Sequence, residues 1–112
     1  MSDNGEARVA VYLDFDNIVI SWYDRVHGRN AYGKDRQKIH ENPHDPEIAE
    51  RLRGASVEIG AIIDYAASFG TLVLTRAYAD WSSPVNADYR SQLVARAVDL
   101  VHQNVDALTA RR

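Results

Sequence analysis

The chain has no cysteine in its 112 residues, which removes disulfides, thiolate metal sites and thiol nucleophiles from the chemistry open to it. The same absence fits a reducing compartment. Prolines number only three, and Pro46 and Pro84 follow Asp45 and Ser83, where they mark helix starts rather than interruptions. No apolar run approaches the roughly 20 residues of a membrane span. The opening residues 1–7 are polar and lack the basic start of a secretory signal, so a frayed tail and a cytoplasmic protein are expected. Positive charge is not in excess: 13 Lys and Arg stand against 16 Asp and Glu, a net charge of −3. Any contact with a polyanion must therefore come from a local basic patch. Neither internal repeats nor low-complexity tracts are present.

What is there centres on the stretch Val9–Asn17. An apolar, β-branched run ends abruptly in Asp14, Asp16 and Asn17. Such runs read as buried strands, and the carboxyl ends of parallel strands face the ligand crevice of open α/β sheets. On an extended chain Asp14 and Asp16 project to one face. About 6 Å apart at an effective dielectric near 20, they repel by roughly 3 kcal/mol. A divalent cation with oxygen ligands offsets that repulsion; the alternative is one Asp capping a turn and the other solvated.

Further along, Arg8–Asp14 is predicted as the first strand, followed by a short helix with Asn17 at its N-cap. Residues 24–45 lose the apolar period and are predicted as a long basic loop. Asp45-Pro46-Glu47 is a helix start. Ile48, Leu52, Ala55, Ile59, Ile62, Ala66 and Phe69 then form one apolar stripe ending at Gly70, with a kink expected near Gly54. Thr71–Asp80 is the second strand, joined to the first by a right-handed parallel crossover. From Ser83-Pro84 a helix with the stripe Val85, Tyr89, Leu93, Ala97 and Leu100 is expected to run unbroken to Arg112. Two strands make a poor sheet, so this βαβα pattern reads as the front half of a larger α/β domain.

Leu13-Asp14-Phe15-Asp16-Asn17-Ile18 resembles the opening motif of the NYN domain, a branch of the PIN-like nuclease superfamily. Arg76-Ala77-Tyr78-Ala79-Asp80-Trp81 resembles that family's second block, and the resemblance covers about residues 8–103. It implies a PIN-like parallel sheet with flanking helices over a partial domain at 8–112, and ribonuclease activity dependent on Mg²⁺ or Mn²⁺. By position Asp14 matches the first metal-site Asp and Asn17 the adjoining Asn. Asp16 sits at a position that is often acidic, and Asp80 is a further match. Such domains carry additional acidic residues on a later helix and after a later strand. Neither block is in this sequence, so a missing half, a partner or a homo-oligomer is expected to complete the site.

The expected basic loop holds Arg25, Arg29, Lys34, Arg36 and Lys38 against Asp35 alone, with Trp22, Tyr23 and Tyr32 beside them. Cations interleaved with aromatics suit single-stranded RNA, although a solvated loop with its aromatics packed down is equally compatible. Arg76 near the end of the second strand is placed either to clamp a phosphate or to pair with Asp80. The four histidines show no zinc spacing and read as surface residues, and Ser83 reads as an N-cap. Two other functions stay open. Asp-x-Asp after a strand also opens haloacid-dehalogenase-type phosphatases, with Asp14 as nucleophile and Asp16 as general acid. An incomplete acidic site beside a basic segment also suits a non-catalytic RNA-binding or oligomerising module.

Overall fold

In the first strand, β1 (Arg8–Asp14), alternation buries Leu13 and exposes Tyr12 and Asp14. It pairs in parallel with β2 (Thr71–Ala79), Leu13 opposite Ala77. The register shifts between Val9 and Ala10, leaving Val73 of β2 as an extra, 55 % exposed residue. β3 (Asp99–His102) pairs in parallel with β2, Leu100 opposite Ala77, to give the order β1-β2-β3. The computed structural model describes residues 7–103 and is an α/β arrangement of this sheet with flanking helices. No helix among the described residues is long and apolar enough to cross a membrane.

Parallel strands laid down in sequence order with right-handed crossovers receive both connections on one face. The core follows that rule. Leu13, Ala77 and Ala79 of the sheet are buried with Phe15 and Val19, Ile59 and Ile63, and Leu93 from three of the helices. The other face carries Ala10, Tyr12 and Asp14 on β1, Leu74, Arg76 and Tyr78 on β2, and Asp99 and Val101 on β3.

The helical layer departs from the sequence reading in three places. The predicted loop at 24–45 is instead the end of α1 (Phe15–His27) followed by α2 (Ala31–Glu41). α2 buries Ala31, Tyr32 and Ile39, too few apolar positions to show a period. Polar links hold it instead. Asp24 accepts the Tyr32 N–H at 2.8 Å, and Asp35 accepts from the Tyr23 hydroxyl at 2.6 Å and from Arg51 Nε at 2.9 Å. The single helix expected from Asp45 to Gly70 is two, α3 (Pro46–Gly54) and α4 (Ile59–Ala67), the break falling just after Gly54 where a kink was expected. Its start is as predicted, with Asp45 accepting the Ile48 N–H at 3.2 Å. The break buries Ala55 and Val57, and the Val57 N–H donates to the Tyr89 hydroxyl at 2.9 Å, an interaction with a distant segment that no local period reveals.

The last departure concerns the chain after Ser83, expected to be one helix. It forms α5 (Pro84–Ala87) and α6 (Arg90–Ala95), then turns through Ala97 at φ 62° into β3. The expectation of only two strands is thereby corrected. Val98, Leu100 and Val101 satisfy either period over so short a run, and pairing with β2 decides for the strand. Ser83 is the N-cap residue of α5, as predicted, without a side-chain capping bond. The tail predicted at 1–7, except Ala7, and the helix predicted over 104–112 lie outside the described residues.

Candidate active site

The strand ends bring three carboxylates toward one edge of the sheet, but not in the extended geometry expected. β1 ends at Asp14 and α1 begins at Phe15, so Asp14 and Asp16 are not alternate residues of one strand. The helical turn sends them different ways. Asp14, rather than Asn17, is the N-cap of α1: its Oδ1 accepts the Asn17 N–H over a long 3.5 Å. Asp14 is exposed and shares with Tyr12 the sheet face opposite the core. Asp16 turns toward β2, where its Oδ2 accepts the Asp80 N–H at 3.1 Å and its Oδ1 accepts from the Asn86 amide.

Asn86 is the residue that sequence reasoning missed. It is 3 % exposed, the one buried polar side chain among the described residues. Besides Asp16 it donates to the Asp80 carbonyl at 3.0 Å, so a single carboxamide ties the β1–α1 junction to the turn after β2. The only sign in the sequence is a carboxamide three residues before Tyr89, at the edge of an apolar stripe.

Asp80 Oδ1 accepts from the Ser82 hydroxyl at 2.5 Å and the Ser82 N–H at 3.0 Å. The Ser82 hydroxyl bond holds the Asp80 carboxyl below the usual range against the opposing effect of burial, with smaller help from the Ser82 N–H, His102 and His40. His102 is a surface residue, as read from sequence, and lies at this edge. Its Nδ1 accepts the Trp81 N–H at 3.3 Å, so in the neutral ring the proton sits on Nε2, 3.9 Å from Asp80 Oδ1. Asp80 therefore interacts with Ser82 and His102 rather than with Arg76, which stands exposed on the sheet face opposite the core. Trp81 is buried, stacked on Phe15 at 5.6 Å with its indole N–H on the Val101 carbonyl.

The basic residues of the expected loop do not form one patch beside exposed aromatics. Tyr23 and Tyr32 are buried in edge-to-face contact at 5.5 Å, and only Trp22 is open, at 40 %. Arg51 and Asp35 close over the Tyr23 hydroxyl, and burial, more than the Asp35 bond, pushes its pKa up to about 12. Arg25 lines a groove of about 570 Å³ with Asn17, Ile18, Trp22, Glu58 and Ile62. Arg36 lies near Tyr32, whose hydroxyl is pushed up by burial, drawn down by Arg36 and raised slightly by Asp16. Arg29, Lys34 and Lys38 are exposed on the α1–α2 turn and α2.

Among the described residues no three His, Asp or Glu side chains come together as a metal cage. The carboxylates do offer open oxygens: Asp14 Oδ2 and Asp80 Oδ2 receive no donor from the described residues. An ion that keeps several waters takes only one or two carboxylates, and either open oxygen is a donor of that kind; the described residues do not enclose an ion. No family model, curated protein or solved structure matches the chain, so the site stands on its geometry alone.

Proposed function

We propose that this is a metal-dependent ribonuclease-type domain that cleaves RNA phosphodiesters at the carboxyl ends of β1 and β2. The observation that carries the reading is the link from Asp16 to the Asp80 N–H and Asn86, which fixes the acidic residues that follow two adjacent parallel strands at one sheet edge. That edge is where open α/β sheets take their ligands. Asp14 is the direct metal ligand, exposed and with an open oxygen. Asp16 is the auxiliary ligand in this reading, its orientation set by Asn86 and the Asp80 N–H. Asn17 positions the end of the strand against RNA. Mg²⁺ or Mn²⁺, when bound, polarises a phosphoryl oxygen and supplies hydroxide near neutral pH. The exposed Arg76 and the cations of α1 and α2 attract the phosphate chain. A further acidic group from a partner or a second copy would complete the ion's shell. The lack of cysteine supports a cytoplasmic setting.

Asp14→Asn removes one negative ligand and changes little else, because an Asn still serves as N-cap. It is expected to abolish Mn²⁺-dependent cleavage of single-stranded RNA while leaving the circular dichroism spectrum unchanged. Cleavage that survives the substitution would defeat the assignment. One observation favours a second reading, RNA binding without cleavage: both Asp16 oxygens already accept protein hydrogen bonds. RNA retained in EDTA with no cleavage in Mn²⁺ would select it. Hydrolysis of p-nitrophenyl phosphate without RNA cleavage would select the phosphatase chemistry instead.

A further inference from the structure

We infer that β1 is the seam of a two-fold dimer: its outer edge pairs antiparallel with β1 of a second copy of this chain and joins the two sheets into one. The inference does not need the ribonuclease reading and goes beyond it. β1 stands at one end of the strand order, and β2 is its one partner among the described residues. An edge strand of seven residues without proline is a template for another strand. Backbone direction fixes which residues meet across that edge. The Ala7 carbonyl accepts the Thr71 N–H at the start of β2, so the odd-numbered residues turn their backbone groups toward β2. Arg8, Ala10, Tyr12 and Asp14 turn theirs outward.

Antiparallel pairing through those outward groups sets even residues opposite even ones. Centred on Val11, it takes in the whole of β1, and the sequence there matches itself. Arg8 faces Asp14 of the second copy, Val9 faces Leu13, Ala10 faces Tyr12, and Val11 faces its own counterpart. Opposite charges directly across a strand pair stabilise it, and the two-fold axis makes the ion pair twice. A register shifted by two residues sets Arg8 opposite Tyr12, or Asp14 opposite Ala10, and loses both ion pairs. The same register gives each apolar side chain of β1 a neighbour. Val9 and Val11 are only half-buried in the single chain, Ala10 is exposed, and Tyr12 is 59 % exposed. Asp14 keeps its place in the candidate site, because a carboxylate has about four lone-pair positions and a guanidinium and a cation can share it.

The test uses the full chain in EDTA, so that assembly is read apart from metal binding and cleavage. Sedimentation over a concentration series is expected to show a monomer–dimer equilibrium. Arg8→Glu sets like charges across both ends of the seam and should raise the dissociation constant at least about tenfold. The chain has no cysteine, so Val11→Cys supplies one thiol per copy, beside the two-fold axis. Residues of a non-hydrogen-bonded antiparallel pair lie about 4.5 Å apart at Cα, within disulfide reach. Mild oxidation should therefore turn Val11→Cys into a covalent dimer on a non-reducing gel. Val9→Cys, about 14 Å from its counterpart along the strand, should stay single. A chain that sediments as a monomer throughout would overturn the inference, the edge then belonging to the chain's own ends or to a different protein. So would a dimer that Arg8→Glu leaves unchanged, or one in which Val9→Cys crosslinks as readily as Val11→Cys.

Discussion

At the scale of single residues, the site depends on a carboxamide more than on any of the acids. Asn86 donates to Asp16 and to the Asp80 carbonyl from a fully buried position. Asn86→Ala leaves both acceptors underused next to the core and should lower stability by about 1–3 kcal/mol, measurable as a lower urea midpoint. A second residue-scale prediction concerns acid. The Tyr23 hydroxyl bond is the largest cause holding the Asp35 carboxyl low, opposed by burial and assisted by Arg51. A carboxyl with a depressed folded-state pKa stabilises the fold above its ordinary pKa, and that contribution is lost as pH falls through the folded value. Tyr23→Phe removes the main cause, so acid unfolding should begin at higher pH than in the unaltered protein, as a urea-midpoint titration would show. Little of this was legible in the sequence. Asp14 and Asp16 stand out because they end an apolar run, whereas Asn86, Asp35 and His102 act through partners 12 to 70 residues distant.

Among the elements, those defined by local rules were readable and those defined by remote contacts were not. β1, β2 and the start of α3 carry their own signals: apolar runs ending in polar residues, and Asp45 before Pro46. α2 has no apolar stripe and is held by Asp24 and Asp35. The α3–α4 break is fixed by Tyr89, and β3 exists through its pairing with β2. Gly70 was legible as a stop, but its requirement is stricter than a helix end. It sits at φ +154°, and a Cβ there would lie 2.3 Å from the Ala7 carbonyl oxygen. That close approach brings the start of β2 beside β1, where the Thr71 N–H donates to the same carbonyl at 2.8 Å. Gly70→Ala must shift the backbone and should cost more than about 1 kcal/mol, read as a lower thermal midpoint with the helical signal retained.

For the whole molecule, the consequence of strand order outweighs that of net charge. A chain of net charge −3 has no general attraction for RNA, so binding must come from local cations, and the affinity should fall steeply with salt. The predicted slope of log affinity against log salt corresponds to a few phosphate contacts. A flat dependence would show that the arginines and lysines of α1, α2 and β2 do not meet the nucleic acid. Composition, the apolar runs and the placement of Asp14 determined by themselves an α/β chain with parallel strands and an acidic strand end, because period and burial are written in nearest neighbours. Only the tertiary structure decided that Asp16 turns inward while Asp14 faces out, that a third strand closes the order β1-β2-β3, and that the core gathers on the sheet face of Leu13, Ala77 and Ala79. Those outcomes depend on hydrogen bonds and pairings between segments far apart in the chain, which a local pattern of residues does not encode.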